Sequence, residues 1–152
     1  MLANQVIINQ VDIWEEYGVF LTEERKGGRE NLNAILSPSK VKEHVGVDIR
    51  EQNGVDYSDS LTVKNQQRDL TLHFAVAAET KQQLLNNYFN FIHFLKTGNN
   101  GWLNIKFPPL ANLTLTAFYK ESTDLSALTY LWLEGKQATR FKVTFREPKP
   151  IL

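Results

Sequence analysis

The stretch that most limits what this chain can fold into runs from Glu79 to Gly101, ETKQQLLNNYFNFIHFLKTGNNG. Thr80 and Gln83 have the spacing of a capping box, in which a hydroxyl and an amide satisfy orphan backbone donors at a helix start. Gly98, after Lys96 and Thr97, suits the left-handed residue that ends a helix. The pattern predicts one helix over about residues 80–97. At about 100° per residue, Leu84, Leu85, Tyr88, Phe89, Phe91, Ile92 and Leu95 share one broad apolar stripe, with Asn86, Asn87, Asn90 and His93 opposite. A single helix with that much apolar surface must lie on something large and apolar, and its flanking segments are the candidates.

Those segments alternate with the period of strands. Leu70, Leu72, Phe74 and Val76 alternate with Thr71, His73, Ala75 and Ala77. Leu103, Ile105 and Phe107 do the same until Pro108 and Pro109 stop the strand, and Leu113, Leu115 and Ala117 repeat the pattern. Leu128 to Leu133 is apolar on both faces and reads as a central strand. Phe141, Val143 and Phe145 alternate with Arg140, Lys142, Thr144 and Arg146, which gives a last strand with one basic face. Near the start, Val6–Ile8 and Val19–Thr22 read as short strands forming a hairpin or a corner. Between Glu23 and Ser39 the chain turns polar, with Gly27, Gly28 and Pro38, and reads as a long loop with a short helical turn near Leu32 to Leu36. Val41 to Ile49 resumes a strand-like pattern, and Asn53-Gly54 is a tight-turn signal suited to a type I′ hairpin. Residues 23–59 therefore read as an extended loop or hairpin arm. Roughly seven to nine strands and one helix, without βαβα alternation, imply an α+β, mainly β domain over residues 1–152. An antiparallel β-sandwich or partly closed barrel with one flanking helix fits best.

Chemistry is thin. Lysine plus arginine and aspartate plus glutamate both number 17, so the chain has no general pull on nucleic acid or anionic lipid. It has no cysteine, which removes disulfides, thiolate catalysis and cysteine metal sites. The start lacks a signal-peptide pattern, and no apolar run approaches the roughly 18 residues of a spanning helix. The expectation is a soluble intracellular protein without membrane insertion, or one that leaves the cell without a signal. His44, His73 and His93 lack metal-ligand spacing, and no cofactor is implied. Ser37, Ser39 and Ser58 lack a nucleophile-elbow context, and Gly27-Gly28 and Gly98–Gly101 lack the residues of a phosphate loop. Sequence cannot place Glu15, Glu16, Glu23, Glu24, Asp56 or Asp59 in facing pairs, so no catalytic residue is assigned. The aromatics among Arg140–Arg146 share one face and belong to a core rather than to sequence-specific nucleic-acid binding. Phe94 projects away from the helix's main stripe, so it is either covered by a loop or offered to a partner.

Three stretches resemble the N-terminal domain of phage distal tail proteins. INQVDIWEEYGVFLTEE resembles the family's start, although Gln10 stands where its turn has glycine. QQRDLTLHFAVAAETKQQLLNNYFNFIHFLKTGNNGWLNIKF resembles its middle, an arginine-led strand, a helix, a glycine turn and a strand. FKVTFREPKP resembles its closing strand. The resemblance implies a tail-tube-like fold and a non-enzymatic structural subunit of a phage or prophage tail. Such a subunit assembles with itself into a ring, hexameric in the family, and with other tail or baseplate proteins. It implies a place in the virion tail, and in the host cytoplasm before assembly. Many family members carry a second, C-terminal domain, whereas this sequence ends at Leu152. The subunit contacts expected on this reading are Phe94 with Asn90 and His93, and the Asn53-Gly54 hairpin of the arm. The alternative is a ligand-binding β domain, with Trp102 and Trp132 as stacking platforms for carbohydrate.

Overall fold

The computed structural model describes residues 2–127 and 135–152. In chain order it contains β1 (Ile7–Ile8), β2 (Val11–Asp12), a short helix α1 (Ile13–Tyr17), β3 (Val19–Leu21), a second short helix α2 (Glu30–Leu36), β4 (Gly46–Val47) and β5 (Asp56–Tyr57). β6 (Arg68–Ala78), the long helix α3 (Lys81–Thr97), β7 (Trp102–Phe107), β8 (Leu113–Ala127) and β9 (Gln137–Glu147) follow. Seven strands form one antiparallel sheet in the order β2-β1-β7-β8-β9-β6-β3, and β4 and β5 pair apart from it. The sheet is curled into a half-barrel. Its two sides meet where the Leu21 N–H of β3 donates to Gln5 Oε1, just ahead of β1, at 2.9 Å. Two bulges in β8, between Tyr119 and Glu121 and between Thr123 and Ser126, lie in the strand that has to bend. Each inserts one extra residue, and bulges increase local twist.

The predicted helix is present and lies on the sheet. Thr80 Oγ1 accepts from the Gln83 N–H at 3.2 Å, and the Gly98 N–H donates to the Phe94 carbonyl at 2.8 Å. Gly98 has φ 45° and ψ −141°, so it ends the helix with positive φ but outside the left-handed helical well expected of it. A Cβ there would stand 2.6 Å from the Trp102 carbonyl oxygen, so glycine is needed on two counts. Leu84, Phe91 and Leu95 are fully buried, and Phe91 packs edge-on to Phe74 of β6 and Phe141 of β9. The inward residues of β6 and β9 are the alternating ones: Leu70, Leu72, Phe74 and Val76, and Phe141, Val143 and Phe145.

Several expectations are corrected. Phe89, placed on the apolar stripe, is 59 % exposed. The helical turn expected near Leu32 to Leu36 is α2, and α1 is a further helix that was not expected. β1 and β3 do not form a hairpin together; β1 pairs with β2, and β3 crosses to pair with β6. α1 makes that corner, capped by Asp12 Oδ1, which accepts from the Trp14 N–H at 3.0 Å. The arm hairpin exists, but its last pair is Val47 with Asp56, and Gly54 (φ 72°) has positive φ while Asn53 does not. A type I′ turn needs positive φ at both central residues. That geometry is found instead at Asn9 (φ 50°) and Gln10 (φ 69°), between the paired Ile8 and Val11. The strand expected over 128–133 lies outside the described residues.

Candidate assembly surface

After α2 the chain leaves the body and returns at β6. α2 itself is packed against β6, with Asn31 and Ile35 buried. Beyond it, the Lys42 N–H donates to the Lys64 carbonyl and the Gln66 N–H to the Lys40 carbonyl, each at 2.7 Å. These bonds make a two-stranded stem, and β4 and β5 continue it. The arm exposes Val41, Val45, Val47, Ile49, Val55, Tyr57, Leu61 and Val63, with Val45 at 92 % and Tyr57 at 54 %. The Tyr57 ring lies over Gly46, its cross-strand partner, where no side chain is in the way. An isolated two-stranded hairpin is marginal in water, and contiguous exposed apolar surface marks an interaction site.

The base of this arm is built to hold it in place. The Arg68 guanidinium pairs with the buried Glu147 carboxylate, Nε to Oε1 at 2.6 Å. It also donates to the Ile35 carbonyl at 3.2 Å and to the Ser37 carbonyl. Such a planar fork can serve a carboxylate and carbonyls together. Ser39 donates through N–H and Oγ to the Leu152 carbonyl, and Asn65 Nδ2 donates to the Pro150 carbonyl at 3.1 Å. Residues 148–152 thus run beside the stem.

The residues singled out in the sequence sit on separate elements. Asn53 and Gly54 are exposed near the arm tip, and Asn90 and His93 are exposed on α3. Phe94 is half-buried, its ring 5.4 Å from that of Tyr17 in α1. Among the described residues, the aromatics that α3 and the sheet leave open are Phe89 and Trp102. Trp102 meets its cross-strand partner Phe118 edge to face at 5.7 Å. Period-2 parity carries this signal: if Leu103 and Ala117 point inward, Trp102 and Phe118 point outward. Trp132 lies outside the described residues.

The outward face of β6 and β9 is polar and closely paired. Arg146 holds Asp69 through two bonds, at 2.8 and 3.3 Å, and Lys120 Nζ reaches the same carboxylate at 2.8 Å. Arg146 first, then Lys120, lowers the Asp69 carboxyl to about 2. Lys142 bridges Glu24 at 3.0 Å and Asp124 at 3.1 Å, and both carboxylates hold its ammonium above the ordinary range. At the start of α2, burial and a proton shared with Glu30 raise the Glu23 carboxyl, while the same hydrogen bond lowers Glu30. Glu30 Oε2 is sheltered and has no hydrogen-bond partner among the described residues. His44, His73 and His93 lie on the arm, β6 and α3. Among the described residues no three His, Cys, Asp or Glu side chains converge in a way that could hold a metal ion.

No family model matches the chain, and no curated protein matches it. Among solved structures it is similar to the SPP1 Dit (gp 19.1) protein, described as a paradigm of the hub adsorption apparatus in Gram-positive-infecting phages. The match has a TM-score of 0.61 at 15% sequence identity, over 94% of this chain and 49% of that one. The chain has a phage tail-type fold. It spans about half the length of that protein's chain. At this identity the likeness is one of fold.

Proposed function

We propose that this chain is a non-enzymatic structural subunit of a phage or prophage tail, a distal tail or tail-tube-like ring component that works by self-assembly. The observation that carries the reading is the exposed apolar arm, rigidly anchored at its base and uncovered along its length. Hydrophobic side chains held in water on a fixed stem stabilise nothing in the single chain, and become useful when a second molecule covers them. β-hairpin arms also offer free backbone edges, and strand addition between copies uses them. The phage tail-type fold supports the same reading, and the partners it implies are further copies of the chain and other tail or baseplate proteins. In the infected cell the subunit collects in the cytoplasm and ends in the virion tail.

The experiment is to replace residues 43–62 by a short Gly-Ser link and follow mass by light scattering and particle shape by electron microscopy. The intact chain is expected to form closed rings at high concentration. The shortened chain is expected to remain a folded monomer. A full-length protein that stays monomeric at every concentration, alone and with tail extract, would overturn the reading.

A further inference from the structure

We infer that Tyr57 on the arm of one copy seats in the cavity beside Trp102 of a neighbouring copy, with Asp59 set against Lys96. This rests on the self-assembly reading and names the surface that receives the arm. Among the described residues, the exposed large hydrophobics of the body away from α2, the arm and the chain end are Phe89, Trp102 and Leu125. Of these, Trp102 lines a cavity of about 410 Å³, together with Lys96, Asn100, Gly101, Phe118 and Tyr119. Trp102, Phe118 and Tyr119 give it three aromatic rings, and Trp102 is 45 % exposed. Lys96 Nζ stands 5.6 Å from the centre of the Tyr119 ring.

Charge and shape select the occupant. Lys96 is the charged residue of this cavity, and α3 contains Lys81 and Lys96 but no acid. The distal arm has the opposite character. Residues 46–61 contain Asp48, Glu51, Asp56 and Asp59 against Arg50. Tyr57 is the one aromatic ring of Phe, Tyr or Trp type between residues 40 and 67, and it is half-exposed between two of those acids. An aromatic anchor entering an aromatic pocket, with an ion pair at its rim, is the composition of an interface hot spot. The cavity beside Leu125 suits the arm less well: Glu23, Glu24 and Asp124 line it beside His73, Arg140 and Lys142, and its Lys142 is already paired with Glu24 and Asp124.

The absence of cysteine makes the test clean. Full-length Ser58→Cys protein is mixed with Asn99→Cys protein and mildly oxidised. A disulfide-linked heterodimer is expected, and Lys96→Glu in the Asn99→Cys chain is expected to lower its yield about tenfold. Adding Asp59→Lys to the Ser58→Cys chain is expected to restore it. If arm-dependent assembly persists while no cross-link forms, or Lys96→Glu leaves the yield unchanged, the docking site is wrong and the subunit reading stands. If neither assembly nor cross-link appears, both fail. If glycans protect Trp102 from indole oxidation and no cross-link forms, the cavity takes carbohydrate, and this inference is overturned.

Discussion

Gln10 occupies a backbone conformation that costs any residue with a Cβ. With φ 69°, it is the second of two consecutive positive-φ residues in the turn between β1 and β2. Left-handed geometry costs an L-residue roughly 1–2 kcal/mol, and glycine returns part of that gain through its freer unfolded chain. Gln10→Gly is therefore expected to stabilise the fold by about 0.5–1 kcal/mol, read as a higher urea midpoint at unchanged slope. Asn31 presents the opposite case, a polar side chain whose loss is costly. Its Nδ2 donates to the Thr22 carbonyl at 2.8 Å and the His73 carbonyl at 3.1 Å, and its Oδ1 accepts from the His73 N–H at 2.6 Å. The amide extends the β6 edge beyond the end of β3, doing for one residue what a strand would do. Asn31→Ala removes these bonds in a site where Asn31 is buried. A loss of about 2–4 kcal/mol is expected in chemical denaturation, because the His73 N–H is left with no partner from this side chain. The first role was marked in the sequence, where Gln10 stands in place of the glycine of the resembling family's turn, whereas that of Asn31 was not. An asparagine in a polar stretch looks the same whether it faces water or closes a sheet edge.

At the scale of elements, the pairing across β6, β8 and β9 sets the acid response. The Asp69 carboxyl is lowered from 3.8 to about 2 by Arg146 and Lys120. A carboxyl whose folded pKa is depressed contributes stability above its unfolded value, and that contribution is lost as pH falls through the folded one. The loss attributable to Asp69 is thus expected between about pH 4 and pH 2. Asp69→Asn should flatten the fall in urea midpoint over that window while leaving the slope above pH 5 unchanged. A mutant profile parallel to the native one throughout would exclude this role for the pairing. The elements themselves differ in how far the sequence shows them. α3 is legible because a cap, a period and a terminal glycine agree, and β6 and β9 are legible because their alternation is unbroken. α1 was not foreseen, since five residues are too few to show a period, although Asp12 and Gly18 mark both of its ends. Phe89 was misplaced because an apolar stripe seven residues broad exceeds what one helix can bury on a curled sheet. The outward Trp102 and Phe118 follow from parity, yet their meeting needs the β7–β8 register, which no local pattern encodes.

For the whole molecule, the division that matters is between a curled body and an arm fixed to it at one end. In the body, β6 and β9 pair along their full length, from Arg68 with Glu147 to Ala78 with Gln137, beneath α3. In the arm, a few stem bonds and one short strand pair stand in water, with no buried apolar side chain of their own. Local opening free energy follows buried contacts, so the two parts belong to separate cooperative units. Amides of residues 43–62 are expected to exchange within seconds in the dilute chain, while those of β6 and β9 are protected by the full unfolding free energy. On assembly the arm amides should gain protection by several orders of magnitude, and those of the body should not change. Hydrogen exchange followed by mass spectrometry, below and above the assembly concentration, reads both at once. Arm amides already protected in the monomer would mean that the arm is folded against its own body, and its apolar side chains would then need no neighbour. Protection that appears only on assembly would tie the exposed strip to contacts between copies, and the tight base formed by Arg68, Glu147 and Ser39 would then set the direction from which each copy reaches the next.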